Sequence, residues 1–152
     1  MKLTRKGFTL IELLVVIGIL AVLAVVVFAA LNPAGRLADA RDTRRWSDAN
    51  TILTAVHEYL VDNEGYPTGV TTGMAQTQLG SAATGCADDG CGAVATCLDL
   101  STPLAAYLKS IPIDPSLAVG SLETHYSIET TAAGIVTITA CDAEGGAISV
   151  SR

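Results

Sequence analysis

The chain has 152 residues, half of them hydrophobic and only 16% charged, with a formal net charge of −6. That length suffices for one anchored domain but not two. The acidic excess argues against non-specific nucleic-acid binding, which needs clustered Lys and Arg. Three of the nine basic residues, Lys2, Arg5 and Lys6, fall in the first six positions, so the body beyond them holds six basic residues against fifteen acidic ones.

The basic leader ends at Gly7, and Phe8-Thr9-Leu10-Ile11-Glu12 then opens an almost uninterrupted apolar run. From Leu13 to Leu31 there are nineteen uncharged residues, which as a helix span about 28 Å, close to the hydrocarbon thickness of a bilayer. Positive residues before the span and an acidic body after it place the N-terminus in the cytoplasm and the body outside. Glu12 is the anomaly. A carboxylate costs up to about 2.5–3.5 kcal/mol at the centre of such a helix and less near its end, so it reads as a functional group.

The stretch Gly7-Phe8-Thr9-Leu10-Ile11-Glu12-Leu13-Leu14, set between basic leader and apolar run, resembles the N-terminus of the type IV pilin family, which includes the pseudopilins of type II secretion. The resemblance implies that a prepilin peptidase cuts between Gly7 and Phe8 and methylates the new Phe8 amine. Residues 1–7 are then a cleaved leader, and residues 8–31 a transmembrane helix that becomes filament core. It also implies a cytoplasmic ATPase and an inner-membrane assembly platform as partners. The residue spacing agrees: after cutting, the Phe8 amine and Glu12 lie four residues apart on one helix face. Glu12 can pair with its own terminus or with that of the next copy in a helical filament, and a negative charge there suits the helix dipole. An uncleaved signal anchor would leave Glu12 a stray charge. A secretory signal peptide cut near Val27-Phe28-Ala29 would have an apolar region longer than the usual 7–15 residues.

Asn32-Pro33-Ala34-Gly35 is a breaker cluster that predicts a kink or a melted turn, and pilins resembling this chain often loosen their helix here within the filament. Over residues 32–62 an amphipathic spine helix is expected. Trp46, Ala49, Leu53, Val56 and Leu60 recur at helical spacing with Ile52 beside them, a stripe for the head to pack on or for helix packing between subunits. Arg36, Arg41, Arg44 and Arg45 alternate with Asp39, Asp42 and Asp48. This gives Asp42–Arg45 and Arg44–Asp48 pairs and reads as a solvated or subunit-facing charged band rather than a DNA site. His57 falls off the apolar seam. Asp62-Asn63-Glu64-Gly65-Tyr66-Pro67 stops the helix and is similar to the spine-to-loop junction of pilins and pseudopilins.

Residues 68–92 lack a period and are long for a loop; the resemblance places the variable part of the head there. Ser and Thr in it leave O-glycosylation open, and no Asn-x-Ser/Thr acceptor occurs. Leu98 to Ser110 reads as a short helix with its start at Ser101-Thr102-Pro103, turning Leu104, Tyr107 and Leu108 to the core. Tyr107 to Pro115 is similar to a segment of many pilins and of the major type II pseudopilin. The last third reads as strands around Tyr126-Ile128-Thr130, Ile135 to Cys141, and Ala147 to Ser151, with turns at Gly134 and Gly145-Gly146. The expected fold is α+β and type IV pilin-like: a long N-terminal helix packed by a small antiparallel three-stranded sheet, with the head over 63–152.

Cys86, Cys91, Cys97 and Cys141 all lie in the exported part, which favours disulfides. Of the three connectivities, Cys97–Cys141 with Cys86–Cys91 is preferred. The Cys-x4-Cys and Cys-x5-Cys spacings fit a zinc site poorly. Asp88 with Asp89, or Asp142 with Glu144, are candidate calcium ligands, and pseudopilins similar to this chain can hold calcium in the head. No EF-hand pattern is present, however. Neither His57 nor His125 has a nucleophile context and no phosphate loop occurs, so neither enzyme activity nor another cofactor is expected. The chain thus reads as a pilin: a single-pass membrane protein before assembly and a subunit of a cell-surface filament after it. A type II secretion pseudopilin, or a membrane-anchored minor tip adhesin or DNA-binding pilin, is the alternative.

Overall fold

A computed structural model describes residues 7–87 and 90–152; the leader residues Lys2, Arg5 and Lys6 and the loop acids Asp88 and Asp89 lie outside that description. The described chain falls into two units that meet between Leu37 and Ala38.

The first unit is dominated by α1, Leu10–Leu31. Its 22 residues extend about 33 Å, none is buried, and the helix is long and apolar enough to cross a membrane. It ends at Asn32, a left-handed residue with φ of 39°, a conformation that Asn tolerates better than most side chains. Helix α2, Pro33–Asn63, begins at the next residue. Proline suits this first helical position because its missing N–H has no intrahelical partner there anyway. The Asn32 carbonyl accepts from the Arg36 N–H at 3.2 Å and its side-chain oxygen from the Gly35 N–H at 3.4 Å. The breaker cluster therefore interrupts the helix at one residue only, and Ala34 and Gly35 remain helical.

The second unit holds the rest of α2 and the head. Ala49, Ile52, Leu53 and Val56 are buried as their spacing predicts. Trp46 is not: it is 45% exposed, and Leu60 is only partly covered. The buried seam starts instead at Arg45, one residue back and about 100° round the helix. Arg45 takes that place because a carboxylate waits for it inside the head, as described below.

The sheet has four antiparallel strands in sequence order: β1 (Thr77–Gly80), β2 (Glu123–Thr130), β3 (Val136–Ala140) and β4 (Ile148–Ser151). The meander β2–β3–β4 is the arrangement expected, with Ile128 opposite Ile138 and Ile138 opposite Val150. The expectation of three strands is corrected by β1, which lies inside the stretch without period and pairs Thr77 with Ile128 and Gln78 with Ser127. Four residues are too few to show alternation, and the partner strand lies far along the chain. At Gly80 the φ is +150° and an added Cβ would stand 2.3 Å from the Leu122 carbonyl oxygen, so only glycine lets the strands approach there.

Side chains from α2 (Ile52, Leu53, Val56) and the sheet (Leu79, Tyr126, Ile128, Ile138) form one core with Leu100 and Leu104. Each such aliphatic side chain, fully buried, contributes about 1.5–3 kcal/mol. The Tyr126 hydroxyl donates to Asp48 on α2 at 3.1 Å, tying sheet to spine. The helix expected over 98–110 is a run of turns instead. Leu104 and Leu108 donate to Leu100 and Leu104, but Tyr107 donates to Leu104, mixing four-residue and three-residue closures. So short a segment gains too few helical bonds to offset nucleation, and its start is taken up by a bridge between Leu98 and Leu79. Leu104 is nevertheless buried, with Tyr107 and Leu108 against the core, as the spacing predicts.

The disulfides are Cys86–Cys97 and Cys91–Cys141, each with Cα atoms 5.3 Å apart. This overturns the preferred pairing of Cys97 with Cys141 and Cys86 with Cys91. The Cys86 N–H donates to Ala95 and the Cys97 N–H to Ala82, so the loop doubles back and sets Cys86 against Cys97. Ala93 donates to Gln76 at 2.8 Å, which brings the returning arm against the sheet and leaves Cys91 beside Cys141, just past β3. With sequence separations of 11 and 50, the two links stabilise the head by about 3 and 4 kcal/mol in the chain-entropy model.

Candidate functional site

Gly7 and Phe8 precede the first helix and are exposed, Phe8 by 86%. Thr9 is the N-cap of α1, with extended backbone. Its hydroxyl oxygen accepts from the Glu12 N–H at 3.3 Å, while one Glu12 carboxylate oxygen accepts from the Thr9 N–H and the Thr9 hydroxyl, each at 2.8 Å. This is a reciprocal capping box. Its signal in the sequence is Thr-x-x-Glu ahead of an apolar run. With Gly7 attached, Phe8 carries a peptide nitrogen rather than an amine, and Glu12 is held by Thr9. The cap keeps the carboxylate within one helical turn of Phe8, at the mouth of an apolar helix on which no residue from Leu10 to Leu31 is buried. Contiguous apolar surface of this extent exceeds what soluble monomers expose; lipid or other helices must cover it.

A second polar centre fixes the base of the head. The Arg45 guanidinium is fully buried and forks onto Asp114, Nε to one oxygen at 2.6 Å and Nη2 to the other at 2.9 Å. Its remaining nitrogen reaches Asp42 at 2.7 Å and Glu144 at 3.0 Å. Arg41 forks onto Glu144 with two bonds of 2.6 Å, and Asp42 accepts from the backbone N–H groups of Glu144 and Gly145. Asp114 also accepts from the Ser116 N–H and hydroxyl. Two arginines and three acids thus clamp α2 to the Ile111–Pro115 stretch and to the turn between β3 and β4. The expected pairs Asp42–Arg45 and Arg44–Asp48 are present at 2.7 and 3.6 Å, but the expectation of a solvated or subunit-facing band fails at Arg45, which is buried inside the head. Its partner Asp114 lies 69 residues further along the chain, out of reach of any local spacing rule.

Burial on its own would raise the Asp114 pKa, but hydrogen bonds from Arg45 and Ser116 outweigh it and hold the carboxyl below its ordinary value. Asp42 is lowered in the same way, burial being outweighed by Arg45 and the two backbone donors. Glu144 is brought down to about 2 by hydrogen bonds from Arg41 and Arg45. Groups whose folded pKa is depressed stabilise the fold above their unfolded value, and that stabilisation is lost as pH falls through the folded one. Denaturation midpoints of the head are therefore expected to hold steady down to about pH 5 and to fall between about pH 4 and 2. A urea series across that range checks this; a flat profile would show that the clamp contributes nothing.

Of the calcium candidates, Asp88 and Asp89 lie outside the described residues, while Glu144 and Asp142 are engaged within the chain. Glu144 is occupied by two guanidinium groups, and Asp142 lies 2.6 Å from His125 Nδ1 and 3.1 Å from the Ser116 hydroxyl. Among the described residues no group of three or more His, Cys, Asp or Glu is placed to hold a metal ion. His57 is half-buried, its Nε2 enclosed without a hydrogen-bond partner.

Residues 2–28 match the family model of the prokaryotic N-terminal methylation motif. No curated protein and no solved structure matches the chain. The chain thus carries the N-terminal methylation motif typical of type IV pilins and pseudopilins, on an α+β fold of pilin-like organisation.

Proposed function

We propose that the chain is the structural subunit of a type IV pilus-like extracellular filament, matured by a prepilin peptidase and assembled through its N-terminal helix. The observation that carries this reading is the methylation motif over residues 2–28, with Glu12 capped one turn from Phe8 at the head of an uncovered apolar helix. In this reading residues 1–7 are removed, residues 8–31 pass from the bilayer into the filament core, and the disulfide-linked head faces outward. An inner-membrane platform and its ATPase drive the transfer.

The test is the intact mass and N-terminal residue of protein from membranes and from the sheared surface fraction. Abundant sheared material beginning at methylated Phe8 supports a shaft subunit. A start at Met1, or near Ala30, overturns the proposal. Replacing Gly7 with leucine should leave unprocessed precursor in the membrane, since the cut is expected to need a small residue there; a normally matured product would refute the proposed cleavage site.

A second reading is a pseudopilin of type II secretion: the segment Tyr107 to Pro115, which here supplies the buried Asp114, is similar to one in many pilins and in the major pseudopilin and suits either reading. A chain that begins at Phe8 but stays in the membrane would select it.

A further inference from the structure

We infer that the second unit carries two unlike surfaces, at opposite ends of its part of α2, that dock onto each other in successive copies of this chain. The inference rests on the filament reading above and names the head-to-head contact that such a filament would use.

The first surface is an open groove of about 380 Å³ walled by the Ile111–Pro115 stretch and by Leu117 and Val119, with Arg44 at its rim. Val119 is fully exposed. The Asp114 carboxylate faces this region too, but both its oxygens are engaged by Arg45, so Arg44 sets the local charge. Its side chain is 64% exposed and meets Asp48 only at 3.6 Å, an exposed pair of the kind that contributes little. An apolar slot with a loosely held cation at its edge suits an apolar side chain flanked by carboxylates.

The second surface presents that feature. Val61 is 73% exposed near the end of α2, with Glu58 one turn before it and Asp62 and Glu64 after it, all exposed. Asp62 accepts from Tyr107, whereas among the described residues no ion pair holds Glu58 or Glu64. Val61, Glu58 and Asp62 line an open surface hollow together with Arg152, one cation against two acids, and Glu64 follows just beyond. Arg44 and Val61 stand about 25 Å apart along the helix at 1.5 Å per residue, so one copy cannot satisfy its own groove. Contact between two different patches is heterologous, and repetition of such a contact gives an open filament rather than a closed dimer unless the rotation closes a ring.

The test uses the full chain in cells that assemble it. Arg44→Glu and Glu58→Arg, each at an exposed site, should separately cut sheared filament yield at least about tenfold, and the charge-swapped double variant should restore it to within about threefold. Wild-type yield from both single variants, or failure of the double variant to recover while it remains exported and protease-resistant, overturns the inference and leaves the filament reading intact. A photo-crosslinking amino acid at position 61 gives a second readout. A crosslink to residues 111–119 of another copy supports the contact; one mapped elsewhere on another copy, or no inter-subunit product in sheared filaments, refutes it, whereas an absence of sheared filaments from the wild-type chain removes the filament reading as well.

Discussion

Replacing Glu12 with leucine is expected to leave a chain that is anchored with its head outside, and to abolish sheared filaments. Insertion does not need the carboxylate, because a charge inside an apolar helix opposes entry into lipid. Loss of half the capping box costs no more than about 0.5–2 kcal/mol, too little to unwind a 22-residue helix that lipid supports. The larger loss falls on assembly. If Glu12 neutralises the Phe8 amine of a neighbouring copy in an apolar core, removing it strands a buried charge at about 3–5 kcal/mol, a factor of a hundred or more in association. Glu12→Gln separates the two roles. Glutamine can still cap at this position but carries no charge, so filaments at wild-type yield from Glu12→Gln would leave capping as the role and refute the pairing. Wild-type yield from Glu12→Leu as well would remove both.

The second large effect is at Arg45. Arg45→Met is expected to destabilise the head by about 3–5 kcal/mol, because the Asp114 carboxylate, fully buried, is left facing an apolar side chain. For a head of this size the unfolding midpoint should drop by roughly 10–20 °C, read in detergent by near-UV circular dichroism from Trp46 and the tyrosines. Adding Asp114→Asn to that variant removes the stranded charge and keeps a side chain that can still meet Ser116, so part of the loss should return. Equal stability of wild type and Arg45→Met would show that Asp42, Glu144 and Ser116 hold the segment without the guanidinium. The clamp also explains how a head with a small sheet keeps one orientation on its helix: the fork onto Asp114 fixes position as well as energy.

Much of this was legible from local pattern. The seam Ala49, Ile52, Leu53 and Val56 and the meander β2–β3–β4 follow from helical spacing, β-branched runs and glycine turns, all readable within a few residues. Wherever a partner lies far along the chain, the reading failed. Trp46 and Arg45 are adjacent, and hydropathy alone turns the tryptophan inward; only Asp114, sixty-nine residues on, reverses them. Strand β1 is four residues long and gains its identity from β2. The cysteine pairing depends on a loop that doubles back through backbone bonds that no spacing rule contains. At the N-terminal site the opposite holds: Thr9 and Glu12 form a local motif, and the capping box was present in the sequence to be read.

The connectivity of the head sets a demand on the compartment where it matures. A head that crosses the membrane behind its anchor presents Cys86 and Cys91 first, then Cys97, with Cys141 far behind. Oxidation in order of arrival joins Cys86 to Cys91, a link absent from the folded head, whose pairs are Cys86–Cys97 and Cys91–Cys141. Escape requires a later thiolate to attack that bond through a mixed disulfide. The Cys97 and Cys141 thiolates of the same chain can make that attack while they remain free, so a head that folds before all its sulfurs are oxidised corrects itself, whereas one fully oxidised in the wrong pairs needs an added thiol to start the exchange.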